Sequence, residues 1–144
     1  MNVNIKRKDT SLPLPEYQTS GAVAFDLYSR IDMTITPKSL GLIPTNLIIE
    51  IPKGYMLMLA SRSSTPKKKG LLVPHGVGII DQDYCGENDE LLLQVYNFTD
   101  QEVAITKGER MGQGVFVKIE QGDWIEVAEM TGPTRGGFGT TGQH

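Results

Sequence analysis

The sequence predicts an all-β fold, a sandwich or a barrel, on three observations. Apolar residues alternate with polar ones at a period of two in short runs along the chain. The runs are cut at close spacing by proline and glycine. No long apolar stripe at helical spacing runs through the 144 residues.

The elements follow in order. Val3 and Ile5 alternate with polar neighbours, as do Met33 and Ile35. In "NLIIEIPKGYMLMLASR", Leu47, Ile49 and Ile51 alternate, then Tyr55, Leu57 and Leu59, so two strands are expected around Pro52-Lys53-Gly54. The same pattern returns in "ELLLQVYNF", "QEVAITKGER" and "GVFVKIE". Further breaks are expected at Pro37, Gly41, Pro44, Pro74, Gly76, Lys107-Gly108 and Gly122-Asp123. One short helix is predicted in "SRSSTPKKKGLL", where Ser63, Ser64 and Thr65 suit an N-cap and Pro66 a first helical position. The end of the chain, "TGPTRGGFGTTGQH", is glycine-rich with little to bury. Residues 1–130 therefore read as one domain and 131–144 as a mobile arm.

Composition narrows the function. The formal charge is −3, with 14 Lys+Arg against 17 Asp+Glu, which argues against general binding to nucleic acid or to an anionic membrane. Any anionic ligand must be held by local chemistry. Cys85 is the single cysteine, so no intrachain disulfide forms and no oxidising compartment is required. No apolar run approaches a membrane span, and "MNVNIKRKDT" lacks the apolar core of a signal peptide. A cytoplasmic protein is the expectation.

Five stretches carry candidate chemistry. In "SRSS", Arg62 offers a fork of donors that suits phosphate oxygens, and Ser63 and Ser64 add hydroxyls beside an expected helix start. A plain N-cap with a surface arginine is the simpler reading of this stretch taken alone, and Lys67–Lys69 read as a solvated face. "GIIDQDYCGE" follows a glycine-bearing "PHGVG". On a regular strand Asp81 and Asp83 would share a face and Tyr84 the other. Such a pair serves as a general base, as a hold on a hydrated cation, or as an acidic turn at the base of a hairpin. In "ERMGQGVF", Gln113 is placed to donate to a phosphate oxygen, against the simpler reading of a polar β-edge. In "TRGGFGTTG", consecutive N–H groups can form an anion-binding nest around Arg135, Thr140 and Thr141, and Phe138 can stack on a planar ligand. The competing reading is a disordered tail, which accounts for the glycines but not for the arginine and phenylalanine among them.

The order of these pieces is more informative than any one of them. "GAVAFDL" (21–27), "SRSS" (61–64), "GVGIIDQDYCGE" (76–87), "ERMGQGVF" (109–116) and "RGGFGTTG" (135–142) resemble the five motifs of the all-β dUTPase family, in the family's order and across nearly the whole chain. The resemblance implies a jelly-roll-like β-barrel, a homotrimer with shared active sites, and Mg²⁺-assisted hydrolysis of dUTP to dUMP and diphosphate. It implies Asp81 as the base that activates water and Tyr84 as the ring under the deoxyribose, where a 2′-hydroxyl would clash. It implies that a hairpin around residues 75–93, with His75, Gly78 and Ile80, reads uracil largely through backbone groups. Arg62, Ser63, Ser64 and Gln113 match phosphate contacts, and Asp26 matches an acid in the outer shell of the metal–phosphate site. Arg135, Phe138, Gly139, Thr140 and Thr141 match an arm that closes over base and phosphates.

Three departures stand out. Arg135 lies only three residues before Phe138, where the family pattern runs Arg-Gly-x-Gly-Gly-Phe-Gly. The stretch from Asp81 to Asn97 is about three residues longer than the family pattern, with the surplus in "ENDE", which suggests a bulge in the hairpin. His75 stands where the family often has Asn or Gly. Two rivals remain. A dCTP deaminase, or a bifunctional enzyme, shares the "RSS" stretch but places a glutamate three residues before the strand-ending asparagine; counting back from Asn97 gives Gln94, which is no base. An inactive dUTPase-like binding or regulatory module is opposed by the intact Asp81, Arg62 and Phe138.

Overall fold

The computed structural model describes residues 1–137. In chain order it contains β1 (Asn4–Arg7), β2 (Phe25–Tyr28), β3 (Met33–Ile35), β4 (Leu40–Pro44), β5 (Leu47–Glu50), β6 (Tyr55–Ser61), α1 (Thr65–Lys69), β7 (Leu71–Leu72), β8 (Gly78–Ile80), β9 (Leu92–Asn97), β10 (Val103–Ile105) and β11 (Arg110–Lys118). The fold is all-β, as the period of two predicts. No helix among the described residues is long and apolar enough to cross a membrane.

The ladders are antiparallel and fall into four groups. β1 pairs with β5 and β3 with β10; β2-β11-β6-β8 form a four-stranded sheet and β4-β9-β7 a three-stranded one. The alternation in sequence becomes alternation in burial. Leu57 and Leu59 of β6, and Leu93 and Val95 of β9, are buried, while Met58 and Gln94 between them are not. Leu27, Ile43 and Ile49 complete the centre of the core between the sheets.

The breaks are mostly where the residues demand them. Gly54 and Gly108 adopt left-handed φ of 83° and 81° in the turns before β6 and β11, a region glycine enters without steric penalty. Gly41 is different. It is not a break but lies inside β4, where a side chain would run into Ile35. The short helix forms at residues 65–69 and ends on left-handed Gly70. Ser64 occupies the N-cap, but its hydroxyl makes no capping bond, so the capping role expected from sequence is not used. Lys67 and Lys68 are solvated as expected, while Lys69 pairs with Glu109 at 2.6 Å.

Three expectations about the acidic stretch are corrected. The strand ends at Ile80, and Asp81 to Tyr84 form a turn closed by the Tyr84 N–H donating to the Asp81 carbonyl at 3.3 Å. Asp81 and Asp83 are therefore not alternate residues of one strand. Nor do residues 75–93 make a ladder-paired hairpin. β8 joins β6 in one sheet and β9 joins β4 and β7 in the other, so the two limbs diverge. The expected bulge is instead a tight turn: the Asp89 N–H donates to the Gly86 carbonyl at 3.0 Å, and the Gly86 N–H to Asp89 Oδ2 at 2.7 Å. The ladders end at Lys118. Residues 119–137 carry no strand or helix, and Trp124, Ile125, Val127 and Met130 are exposed.

One buried side chain ties three segments together. Asn97, fully buried at the end of β9, directs Nδ2 at the carbonyls of Ile35, Thr36 and Gln101 at 2.8–3.1 Å. Its Oδ1 accepts from the Thr99 N–H at 2.9 Å and hydroxyl at 2.7 Å. Asn97→Ala would orphan several of these groups inside the core. We expect it to lower unfolding free energy by about 2–4 kcal/mol, measured by urea denaturation; a loss below about 0.5 kcal/mol would show that the network is not structural.

Candidate active site

The four-stranded sheet builds a polar cradle at one end. Asp26 on β2 lies opposite Gln113 on β11, which in turn lies opposite Ala60 on β6. Arg62 follows directly on β6, so these side chains converge by register. β11, expected as a polar edge, is an interior strand of the sheet. Gln113 Nε2 donates to the Ser61 carbonyl at 3.1 Å, which fixes its amide beside the serines. Gln18, Asp26, Arg62, Ser63, Ser64 and Gln113 line a cavity of about 470 Å³.

A β-bulge completes this cradle. The register between β11 and β2 shifts between Arg110 and Gly112. In a regular strand residue 111 would share the face of Gln113; the bulge sends Met111 into the core, 2% exposed, and brings Arg110 round to Asp26. Asp26 is 7% exposed and holds two cations: Arg62 Nε lies 3.1 Å from Oδ1, and Arg110 Nη1 donates to Oδ2 at 3.2 Å. A nearly buried carboxylate is tolerated when paired in this way. Its immediate effect is to aim Arg62 along the cradle. Arg110 is the residue that sequence reading missed, because only the bulge places it on this face.

β8 is the edge strand of the same sheet, so one row of its backbone N–H and C=O groups has no ladder partner. Between Gly78, Ile79 and Ile80 on one side and Leu92, Leu93 and Gln94 on the other opens a cavity of about 350 Å³, with His75 in its wall. The divergence of the two limbs is what makes this space. Gly78 packs closely there: a Cβ would lie 3.3 Å from Cβ of Leu59, a tight contact.

Asp81 is the first residue past β8 and is exposed. It lines, with Asp83, Gln82, Tyr55, Met56, Ile119 and Gln121, a polar cavity of about 390 Å³. Gln82 Nε2 donates to the Tyr55 carbonyl at 3.0 Å and pins the turn to the start of β6. Tyr84, 38% exposed, is tethered at its tip, where its hydroxyl donates to the Glu90 carbonyl at 3.2 Å. Nearby, Lys6 pairs with Glu87 and holds that carboxyl below the usual carboxylate range.

The candidate residues thus fall into three groups: the cradle with Asp26, Arg62, Ser63, Ser64 and Gln113; the cavity with His75, Gly78 and Ile80; and the cavity with Asp81. Arg135 is exposed beyond the last strand. Phe138, Gly139, Thr140 and Thr141 lie outside the described residues. Among the described residues no group of three His, Cys, Asp or Glu side chains is placed to hold a metal ion.

Residues 10–142 match the family model described as dUTPase. The chain belongs to the dUTPase family. Among its relatives, the deoxyuridine 5′-triphosphate nucleotidohydrolase of Lactococcus lactis is 39% identical over 140 residues, covering 95% of this chain and 93% of the relative. The dUTPase of Streptococcus mutans superposes with a TM-score of 0.76 at 34% identity, over 83% of this chain and 98% of that one. The dUTPase of Staphylococcus bacteriophage 80alpha, solved with dUPNHPP, superposes with a TM-score of 0.86 over 98% of each chain; at 24% identity it speaks for the fold alone. The architecture is the jelly-roll-like β fold of that family, and the four antiparallel groups described above are its sheets.

Proposed function

We propose that this protein is a dUTP diphosphatase, which hydrolyses dUTP to dUMP and diphosphate with Asp81 as the general base. The observation that carries the reading is the placement of Asp81 directly past an edge strand whose unpaired backbone borders a cavity. Uracil enters between the diverging limbs, where β8 backbone groups meet its polar edge and His75 stands in the wall. Asp81 takes a proton from water as the water oxygen bonds to the α-phosphorus and diphosphate leaves. Tyr84 packs under the deoxyribose. Arg62, Ser63, Ser64 and Gln113 hold phosphate oxygens, with Arg62 aimed by Asp26.

Magnesium fits this scheme as a partner of the triphosphate, since Mg²⁺ keeps most of its waters and binds through phosphates with few protein ligands. When bound it neutralises phosphate charge. Asp26 stands at the cradle in reach of such a hydrated ion, sharing its oxygens with the two arginines.

Asp81 and the cradle line different cavities of one chain, and the segment beyond β11 exposes Trp124, Ile125, Val127 and Met130 without packing them on its own core. Both features support a homotrimer with shared sites. Residues 1–130 form the catalytic body, and 131–144 form the arm that brings Arg135, Phe138, Gly139, Thr140 and Thr141 over a neighbour's substrate. We place the enzyme in the cytoplasm, with a free nucleotide as substrate; the formal charge of −3 opposes a general hold on nucleic acid, so the nucleotide is held by the local chemistry of the cradle. Gln94 lines the base cavity where a deaminase would need a carboxylate, so deamination is not proposed.

Three measurements check this. Purified protein with Mg²⁺ and each nucleoside triphosphate in turn should release diphosphate from dUTP and no ammonia from dCTP. Asp81→Asn should lower kcat by about 10²–10⁴ with dUTP affinity retained; a variant keeping most of its kcat removes Asp81 from the role. Mixed trimers of Asp81→Asn with a truncation ending at Met130 should recover activity that neither protein has alone, because one copy supplies the base and another the arm. Mixed trimers confirmed by light scattering yet inactive would place each arm over its own chain.

A further inference from the structure

Residues 90 and 91 are fastened to the protein far more firmly than a surface connection requires. Glu90 is 7% exposed, and Arg30 grips it with both arms of its guanidinium: Nε donates to Oε1 at 2.8 Å and Nη2 to Oε2 at 2.9 Å. Glu90 Oε1 also accepts the Asn46 N–H at 2.8 Å, and Asn46 holds a left-handed φ of 73° in the β4–β5 turn. The next residue is locked as well. The Leu91 carbonyl accepts from the Thr45 N–H at 3.0 Å and hydroxyl at 2.8 Å, and its N–H donates to the Leu47 carbonyl at 2.8 Å.

Glu90 is buried and Arg30 half-buried, so one carboxylate is taken out of water and needs a partner. A single hydrogen bond would meet that need, and well-packed apolar residues of similar volume often stabilise as much. What a bidentate pair provides is a fixed orientation. The peptide it fixes is the one whose carbonyl receives the Tyr84 hydroxyl. At its other end Tyr84 is held by its N–H on the Asp81 carbonyl. The residue is therefore tethered at both ends, by its backbone N–H on the Asp81 carbonyl and by its hydroxyl on the Glu90 carbonyl, and that carbonyl belongs to a peptide held by the ion pair on one side and by the Leu91 N–H on the Leu47 carbonyl on the other.

We propose that the Arg30–Glu90 ion pair is a positioning device for Tyr84, and through Tyr84 for the choice of deoxyribose over ribose. Arg30 and Glu90 touch no substrate in this scheme; they act through the tyrosine. The inference rests on the reading of Tyr84 as the ring under the sugar. With the pair loosened, the ring tilts, room opens at the 2′ position, and UTP is accepted more readily while Asp81 keeps its chemistry.

The test compares kcat/KM for dUTP with that for UTP. Tyr84→Ala first checks the underlying reading: a ratio equal to that of the unaltered protein withdraws the sugar role from Tyr84, and the inference with it. If that variant narrows the ratio, Tyr84→Phe, Glu90→Gln and Arg30→Lys decide the inference itself. Each should reduce the ratio about threefold to tenfold, the worth of one hydrogen bond, with kcat for dUTP changed less than twofold in the two charge variants. In a Tyr84→Phe background Glu90→Gln and Arg30→Lys should reduce the ratio no further, because the hydroxyl they act through is gone. A merely structural pair gives lowered Tm with the ratio unchanged, or reductions of equal size in both backgrounds, and either result overturns the proposal. Should both charge variants fail to fold, Tyr84→Phe still decides: a ratio unchanged in that variant overturns the proposal.

Discussion

Residues 81–91 must cross from one sheet to another with no ladder to pair with, and much of the candidate site follows from that constraint. β8 belongs to the β2-β11-β6 sheet and β9 to the β4-β7 sheet, so the chain between them cannot satisfy its backbone by strand pairing. Its polar groups are met by local turns and by side chains: Gln82 on Tyr55, Tyr84 on Glu90, Asp89 on Gly86. The same crossing separates the limbs and so leaves the edge of β8 facing a cavity. A continuous hairpin would have used those backbone groups internally and left no unpaired edge facing the cavity.

The cradle is governed by a second constraint, the charge of Asp26. A carboxylate 7% exposed at the end of a sheet needs partners, and it has two arginines from different elements. Each arginine keeps donors in excess of those used on Asp26. The pairing thus orients a positive surface without cancelling it, in a chain whose net charge is negative. The bulge at Met111 is what makes this geometry possible, at the expense of one broken step in the ladder.

How much of this was legible in the sequence depends on the range of the interaction. The strands were legible because period two is a local pattern; so was the helix at 65–69, with its proline at the start and glycine after its end. Asp81 was legible as an acid closing an apolar run, although the run ends one residue earlier than a paired Asp81 and Asp83 on one strand would need. The partners of these groups were not legible. Arg30 finds Glu90 across 60 positions and Arg110 finds Asp26 across 84, and neither separation leaves a local signature. Gly41 was misread as a break because a glycine demanded by close packing on Ile35 looks, in sequence, the same as one demanded by a turn. The divergence of β8 and β9 is likewise a property of which sheets they join.

Trp124 is the only tryptophan of the chain, and it is 97% exposed on the segment beyond β11. An indole surrounded by water emits at long wavelength and is open to collisional quenchers, and both properties reverse when the ring is covered by protein. The fold has therefore placed its single indole where its emission distinguishes a solvated segment from a docked one. Emission from the unlabelled protein reports the state of this segment directly, without interference from a second indole in the core.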